Sequence, residues 1–259
     1  MRDPIVFQPG AERDTGRVAL VVGGDGVVGR TVAEALAARG HAVAVHAHGA
    51  VRQARELAAA FEKMGVPSLA VTADLRDDAA VRALVHRVAD HFGRIDAVVT
   101  CSGGVRHAVL EDVTAAELRV AFDVHCAGPF VVAQEAASVM VRQPEGGGIV
   151  LVEDADVFLP GPGLVAAAAG RGSLPVVVRG LAIELARRHP RVRVNGVLAG
   201  AVGPEDHPSG ATAPEGTAGS VAHAVAFLLE NELVTGAVLP VDGGRGLAGF
   251  REAGTVPGS

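Results

Sequence analysis

The sequence is marked first by what it lacks: its 259 residues include no tryptophan, no tyrosine and only two cysteines. Without tyrosine, no phenol can act as an acid or a base. Two cysteines cannot build a disulfide framework. No apolar run approaches the roughly 18 residues of a membrane span, and the first residues lack the apolar segment of a secretory signal. We therefore expect no membrane association and a cytoplasmic location.

The charge pattern excludes a second class of partner. The net charge is −6 at pH 7 and the basic residues are scattered, so we expect no nucleic acid partner. His46 and His48 are spaced as two metal ligands could be, but no cysteine or acidic cluster accompanies them, and we expect no metal site. Cys101 is interpreted as a small buried thiol.

What the sequence does contain is an alternation of short apolar segments with segments of helical periodicity. Hydrophobic residues make up 49% of the chain, which suits a parallel sheet covered by helices on both faces. The alternation predicts an α/β fold of the Rossmann type: a single, doubly wound parallel sheet of about seven strands. We expect this domain at residues 17–259, after an N-terminal arm at 1–16. The predicted strands are Val18–Val22, His41–Val45, Pro67–Val71, Ile95–Thr100, Gly148–Val152, Val192–Leu198 and Val238–Val241.

The first strand, a glycine turn and the first helix together indicate a dinucleotide-binding unit. Gly23, Gly26 and Gly29 would allow a tight turn, the approach of a pyrophosphate to the backbone, and close packing of the helix on the strand. The amino end of the helix would face the phosphates. The alternative is a tight turn that binds no ligand, and Asp25 favours it because a carboxylate repels a neighbouring phosphate.

Several local sequences, in this order of elements, resemble the short-chain dehydrogenase/reductase family from about Gly16 to Leu247. They are the glycine turn, Ala73–Leu75, Gly93–Asp96, Arg193–Asn195, Thr235-Gly236 and Val241–Gly244. The last group is the most specific. The resemblance implies the fold, a bound NAD(P) cofactor, and carbonyl reduction by an Asn, Ser, Tyr, Lys tetrad in which tyrosine is the acid or base.

All four positions of that tetrad differ in this chain. Alignment with the family places His125 at the Asn position, Asp154 at the Ser position, Ala167 at the Tyr position and Arg171 at the Lys position. We expect His125, Asp154 and Arg171, together with Asp156, to project around one cleft. They could carry out proton transfer, because a cation and carboxylates set each other's pKa values. The alternative is an ion pair that fills a vacated active site.

The resemblance also implies which residues would contact a cofactor. Asp74 and Leu75 match the pair that lines the adenine pocket. On the nicotinamide side, Ser102 and Gly103 belong to a Thr-Cys-Ser-Gly sequence that replaces the Asn-Asn-Ala-Gly of the family. Pro204 stands where a threonine usually holds the carboxamide. The adenine side is thus retained, whereas the nicotinamide side is eroded.

The second strand is followed by no acid that could hold a ribose 2′-hydroxyl. His48 and Arg52 could instead face a 2′-phosphate. We therefore expect NADP(H) to be preferred over NAD(H), with binding that is weak or absent.

Three functions remain open at this point. The first is non-standard acid–base chemistry on a small molecule, such as dehydration, isomerisation or cyclisation. The second is an atypical NADP(H)-dependent carbonyl reductase, and the third is a catalytically silent binding or assembly subunit. A homodimer or homotetramer is expected, because relatives in the family pair through two long helices, here Thr114–Arg142 and Leu164–Arg188, and through the C-terminal strand. A short loop at Gly200–Gly216 suggests an open substrate pocket.

Overall fold

Seven parallel strands form one sheet in the computed structural model of the chain. The structure describes residues 16–101, 103–104, 108–155, 160–200, 218–244 and 246. The strand order is β3-β2-β1-β4-β5-β6-β7, which confirms the predicted doubly wound sheet. The strands are β1 Val18–Val22, β2 Ala42–Ala47, β3 Ser68–Thr72, β4 Ala97–Cys101, β5 Gly147–Asp154, β6 Val192–Ala199 and β7 Val238–Val241.

Helices cover both faces of this sheet. One apolar layer packs α3, α5 and α7 on one face, and a second packs α1, α2 and α8 on the other. The sheet core is therefore almost wholly aliphatic, as the composition predicts. The helices are α1 Val27–Ala38, α2 Val51–Lys63, α3 Asp78–Phe92, α4 Ala115–Phe122, α5 Gly128–Met140, α6 Val165–Arg171, α7 Leu174–Ala186 and α8 Ala218–Glu230.

Side chains at the helix ends explain several of these boundaries. The Asp77 carboxylate accepts hydrogen bonds from the amides of Ala79 and Ala80 and so begins α3, and Gly93 ends that helix in the left-handed conformation. Thr114 and Glu117 form a reciprocal capping box at the start of α4. These signals are local, and they are readable in the sequence.

The helix predicted at Thr114–Arg142 is interrupted by a π-helical turn at Asp123–Ala127. Pro129 gives the physical reason. It has no amide hydrogen to donate to the carbonyl of His125, four residues earlier, and its ring would crowd that carbonyl. The backbone widens there into a turn with longer-range hydrogen bonds. The chain is therefore helical without a break from Ala115 to Met140, and the π-helical turn divides the predicted long helix into α4 and α5.

The helix predicted at Leu164–Arg188 is also two helices, α6 and α7, separated at Gly172 and Ser173. Pro175 lies in the first turn of α7, where a missing amide hydrogen costs little, and it cannot donate a hydrogen bond to the carbonyl of Arg171, four residues earlier. Pro175 therefore separates Arg171, at the end of α6, from the long apolar helix that follows.

The Arg193–Asn195 sequence joins β6 to the end of α8. The Arg193 guanidinium donates to the carbonyl oxygens of Leu228 and Leu229, at 2.7 and 2.5 Å. The Asn195 amide group donates to the Val234 carbonyl at 2.9 Å. Positively charged donors satisfy carbonyls that a helix end would otherwise leave unpaired, so this matching sequence has a structural role.

Some sequence predictions fall outside the described residues. They include the N-terminal arm, except Gly16, and the loop at 200–216, except Gly200. Among the described helices, none is long and apolar enough to cross a membrane.

Candidate active site

The glycine turn connects β1 to α1 and touches the carboxyl end of β4. Gly23 has a φ of +75°, and a Cβ there would overlap the Cys101 carbonyl oxygen. A Cβ at Gly29 would overlap the Gly23 carbonyl oxygen. Both glycines are thus required by the fold itself, as the sequence pattern predicts for close helix packing.

Gly26 is different, because none of the described residues requires a glycine there. Its φ is −78°, and a Cβ at this position would have the Gly23 carbonyl oxygen as its nearest neighbour, at an ordinary 3.5 Å. It caps α1 without a side-chain hydrogen bond, and the first turn of that helix holds no acid. Exposed amides, a bare backbone and the positive end of the helix dipole fit an anion such as a pyrophosphate. Half-buried Asp25 is the one unfavourable neighbour in the turn.

Two histidines lie behind this turn: His46 in β2, and His48 directly after the strand. His46 is buried, with its ring hydrogen-bonded to both Gly23 and the Ala73 carbonyl. His48 is exposed, and its Nδ1 lies 3.2 Å from the same Ala73 oxygen. The prediction that β2 ends at Val45 is therefore wrong, because the strand continues to Ala47 and places His46 inside it.

Asp74 and Leu75 follow β3, next to His48. The Arg76 guanidinium donates to both carboxylate oxygens of Asp74, at 2.6 to 3.0 Å. These charge-assisted hydrogen bonds lower the pKa of Asp74 to about 2. Leu75 is buried against Gly128, at the start of α5. The Asp74 carboxylate therefore remains ionised at neutral pH and is already engaged by a neighbouring cation.

The remaining predicted cofactor contacts lie near the end of β4. Gly103 is exposed, and a Cβ there would meet nothing within 4 Å. Ser102 lies outside the described residues, as do Pro204 and the predicted site residue Asp156. Cys101 is only partly buried, contrary to the expectation of a buried thiol, yet desolvation and, secondarily, the Glu153 carboxylate raise the pKa of its thiol to about 12. A thiolate at Cys101 is therefore not available near neutral pH.

A buried ionic cluster lies at the carboxyl end of β5. His125 Nδ1 is 3.2 and 3.3 Å from the two carboxylate oxygens of Glu153. Arg171 Nε is 3.4 Å from Glu153, and its Nη1 is 3.3 Å from Asp154. The side chains of His125, Glu153 and Arg171 are at most 5% exposed, whereas that of Asp154 is 32% exposed. The structure thus brings together three of the predicted residues, joined by a fourth, Glu153.

The four members of this cluster come from three different elements. The π-helical turn carries His125, the end of β5 carries Glu153 and Asp154, and the last residue of α6 is Arg171. Glu153 shares the sheet face of Ile149 and Leu151, because side chains alternate along a strand. Sequence reasoning missed Glu153 as a site residue. The available signal was an acid, in an otherwise apolar strand, that would need a cationic partner when buried.

The geometry of the cluster fixes which atom of His125 can transfer a proton. An ionised carboxylate only accepts hydrogen bonds, so the hydrogen on Nδ1 is directed to Glu153. His125 Nε2 makes no hydrogen bond within the described residues. It is not fully enclosed either, because among those residues Arg171 Nε is the one side-chain atom that is both fully buried and without a hydrogen bond. Ala167, at the position of the family tyrosine, is buried. The cluster therefore presents one imidazole nitrogen for acid–base chemistry.

Gly170 determines how closely α6 approaches the turn that carries His125. A Cβ at Gly170 would lie 2.5 Å from the Ala121 carbonyl oxygen and 3.3 Å from the His125 Cβ. We expect Gly170→Ala to lower the free energy of unfolding by about 1 to 3 kcal/mol through overpacking, measured by urea denaturation. Gly180→Ala is the control, because a Cβ there meets nothing within 4 Å. It should stabilise helix α7 by about 0.5 to 1 kcal/mol. Equal effects of the two substitutions would contradict this packing.

Comparisons with known proteins agree with the fold. A family model described as Enoyl-(Acyl carrier protein) reductase matches residues 25–245. An uncharacterised oxidoreductase of Methylorubrum extorquens is 33% identical over 248 residues, covering 88% of this chain and 97% of the relative. The 3-oxoacyl-[acyl-carrier-protein] reductase of Homo sapiens is 32% identical over 238 residues, covering 88% and 97%.

Solved structures give the same result. The acetoin dehydrogenase from Enterobacter cloacae superposes with a TM-score of 0.82 at 28% identity, covering 94% of this chain and 100% of that one. A short chain dehydrogenase from Burkholderia cenocepacia J2315, crystallised with NADP, has a TM-score of 0.80 at 31% identity, covering 90% and 98%. With the seven-stranded sheet and the glycine turn, these matches show that the chain belongs to the short-chain dehydrogenase/reductase family.

Proposed function

We propose that this protein is an enzyme that moves protons on a carbonyl-bearing small molecule through His125, in a dehydration, isomerisation or cyclisation. The observation that carries the proposal is the buried hydrogen bond between His125 and Glu153, in a chain without tyrosine. Histidine is the side chain whose ordinary pKa lies closest to neutrality. A positioned acid or base of this kind contributes about 10² to 10⁴ in rate.

Glu153 has two functions in this proposal. It accepts the Nδ1 hydrogen of His125, which keeps the lone pair of the neutral ring on Nε2, and it stabilises the imidazolium that forms when Nε2 takes a proton. Carboxylate–imidazole pairs in other enzymes use the same division of labour. His125 is the shuttle, and Nε2 is the atom that exchanges protons with substrate.

Arg171 and Asp154 set the charge around that atom. Arg171 stays protonated in proteins, so it cannot act as an acid, and its guanidinium lies 3.4 Å from Glu153 and 3.3 Å from Asp154. Asp154 is partly exposed and serves as a base or as an orienting carboxylate toward the substrate, and Asp156 is a further candidate for the same task. Because a carboxylate stands where the family has a hydroxyl donor, an oxyanion formed there would be repelled, which disfavours standard carbonyl reduction.

A second candidate function is NADP(H)-dependent carbonyl reduction with His125 as the proton donor. Two observations favour it: Gly26 leaves the backbone of the turn open to a ligand although the fold does not require a glycine there, and relatives of this chain are named as reductases. Gly23, Gly26 and Gly29 would hold the pyrophosphate, Asp74 and Leu75 would contact the adenine, and Ser102 and Gly103 would lie by the nicotinamide. When bound, the cofactor would supply a hydride.

The charges near the adenosine end favour NADP(H) over NAD(H). His48 is exposed beside the start of α2, and the Arg52 side chain is 84% exposed with only a weak contact, 3.7 Å, to Glu56. Both could reach a 2′-phosphate. We expect the affinity to be weak, because Asp25 lies in the glycine turn and Asp74 is held by Arg76.

The two functions are separated by one experiment. Acetoin and a 3-oxoacyl thioester, the compound classes named in two of the relatives, are incubated with the protein in D₂O, with and without NADPH. Proton NMR follows deuterium incorporation and new products, and absorbance follows NADPH. Exchange or rearrangement without NADPH consumption supports the acid–base function. Consumption of NADPH in step with alcohol formation supports the reductase, and inactivity across a wider carbonyl panel would contradict both and favour a silent subunit.

We also propose that the protein is a homodimer or homotetramer. Large apolar side chains are exposed on α4 and α7, including Phe122 at 48%, Val176 at 75% and Ile183 at 63%. Exposed apolar patches of this kind mark interaction surfaces. Light scattering is expected to give a multiple of the chain mass, and Val176→Glu to lower it, whereas Met64→Glu at the exposed end of α2 should not. A monomeric wild-type protein at micromolar concentration would contradict this assembly.

A further inference from the structure

His46 occupies an unusual place for a histidine, in the interior of β2 directly behind the glycine turn. Its relative exposure is 2%. The Gly23 amide donates to His46 Nδ1 at 3.2 Å, and His46 Nε2 lies 3.1 Å from the Ala73 carbonyl oxygen. Since an amide can only donate and a carbonyl can only accept, the ring must be neutral, with its hydrogen on Nε2. One side chain thus bridges the turn after β1 and the end of β3.

Among the described residues, the charged groups that act on His46 lie at the carboxyl end of the sheet, where nucleotide binding is predicted. Asp25, in the glycine turn, raises the pKa of His46 and so favours its charged form. His48, just after β2, lowers that pKa and so disfavours the charged form. On the β3 side, Asp74 and Arg76 are paired with each other. Burial is the largest influence, and it lowers the pKa of His46 below its ordinary value of 6.5. At neutral pH the ring is therefore in the state that the hydrogen bonds require.

We propose that His46 is a positioning residue that holds the glycine turn in its nucleotide-binding shape, and that protonation of His46 in acid releases the turn and weakens nucleotide binding. The inference rests on the proposed binding of NADP(H). Protonation places a hydrogen on Nδ1, so the Gly23 amide then faces a donor instead of an acceptor. Gly23 is the first residue of the turn, and its displacement would move the amides of α1 that face the phosphates.

The direction of the pH effect follows from the neutral native ring. Since the pKa of His46 is lowered in the folded protein, its contribution is complete above about pH 6.5 and is lost as the pH falls through the lower native value. His48 acts in the opposite direction, because its protonation would attract a 2′-phosphate. A test must therefore separate the two histidines and the titration of the ligand itself.

The experiment measures NADP⁺ affinity by calorimetry at about pH 8 and about pH 5 for wild type, His46→Gln and His48→Gln. Glutamine can accept from Gly23 and donate to Ala73, but it does not titrate. We expect His46→Gln to bind within about threefold of wild type at the higher pH, and wild type to lose up to roughly tenfold more affinity than His46→Gln on acidification, with the full difference reached once the His46 ring is protonated. His48→Gln should keep the wild-type loss or enlarge it. His46→Leu, which cannot accept from Gly23, should bind roughly tenfold more weakly at both pH values.

Hydrogen exchange at the Gly23 amide, without nucleotide, gives an independent measurement. On acidification, the protection of the Gly23 amide should fall more in the wild-type protein than in His46→Gln. Equal pH dependence of wild type and His46→Gln in both measurements would overturn the inference and leave the proposed cofactor binding intact. Failure of wild type to bind NADP⁺ at either pH would overturn the cofactor binding and the nucleotide role of His46, and the Gly23 amide would then still test whether His46 holds the turn.

Discussion

Replacing Glu153 with leucine is expected to lower the free energy of unfolding by about 3 to 5 kcal/mol, because it leaves Arg171 buried with little compensation. Arg171 is 4% exposed, and within the part of the chain that the structure describes its carboxylate partners are Glu153, at 3.4 Å, and the partly exposed Asp154. The same substitution removes the acceptor of the His125 Nδ1 hydrogen. Urea denaturation, with the midpoint and the slope both determined, measures the effect.

Two further variants separate charge burial from a general loss of packing. Asp154→Asn removes the other carboxylate that faces Arg171, but this side chain is 32% exposed, so the loss should be about 1 kcal/mol or less. The double variant Glu153→Leu with Arg171→Met should recover most of the stability, since a buried ion pair can be replaced by apolar groups of similar volume. A double variant no more stable than Glu153→Leu alone would show that the ion pair is not the cause.

Replacing His125 with asparagine is expected to reduce turnover by about 10² to 10⁴-fold while the protein stays folded, because His125 is the described side chain of the cluster whose ordinary pKa lies closest to neutrality. Arg171 keeps its proton at neutral pH. The Cys101 thiol keeps its proton too, because its pKa is raised to about 12. The effect should appear in kcat rather than in KM. It is measured on whichever carbonyl substrate the exchange assay identifies.

His86→Asn provides the control for that variant, because His86 lies on α3 with its side chain 55% exposed, against Glu135. It should leave turnover unchanged. A loss below tenfold in His125→Asn, with unfolding behaviour like that of wild type, would contradict the assignment of His125 as the proton-transfer group. Asp154 would then have to be tested as the base in its place.

The sequence was sufficient for those parts of the fold that depend on local chemistry. The bounds of β1 and β7 match the predictions, because a short apolar run is a signal that depends only on neighbouring residues. Each of the two predicted long helices contains a proline, Pro129 or Pro175, next to the place where the structure departs from a regular α-helix. Periodicity reports only which face is buried, whereas a proline inside it changes the backbone.

The candidate site was only partly predictable for a different reason. The family alignment identified His125, Asp154 and Arg171, but alignment cannot show which carboxylate His125 contacts. Glu153 lies 28 residues further along the chain from His125, and their contact depends on the π-helical turn and on the depth of β5. The spacing between His46 and His48 is visible in the sequence, yet the hydrogen bonds of His46 depend on β2 extending two residues beyond its predicted end.

The central claim is that Glu153 orients His125, so that the neutral ring carries its hydrogen on Nδ1 and offers Nε2 to substrate. Nitrogen NMR of isotopically labelled histidine tests this without any substrate, with the His125 signals assigned by their loss in His125→Asn. The expected result is a neutral His125 with its proton on Nδ1, and a shift toward the other tautomer in Glu153→Leu, or in Glu153→Gln if the leucine variant does not fold. A neutral His125 protonated on Nε2 in the wild-type protein would contradict the account.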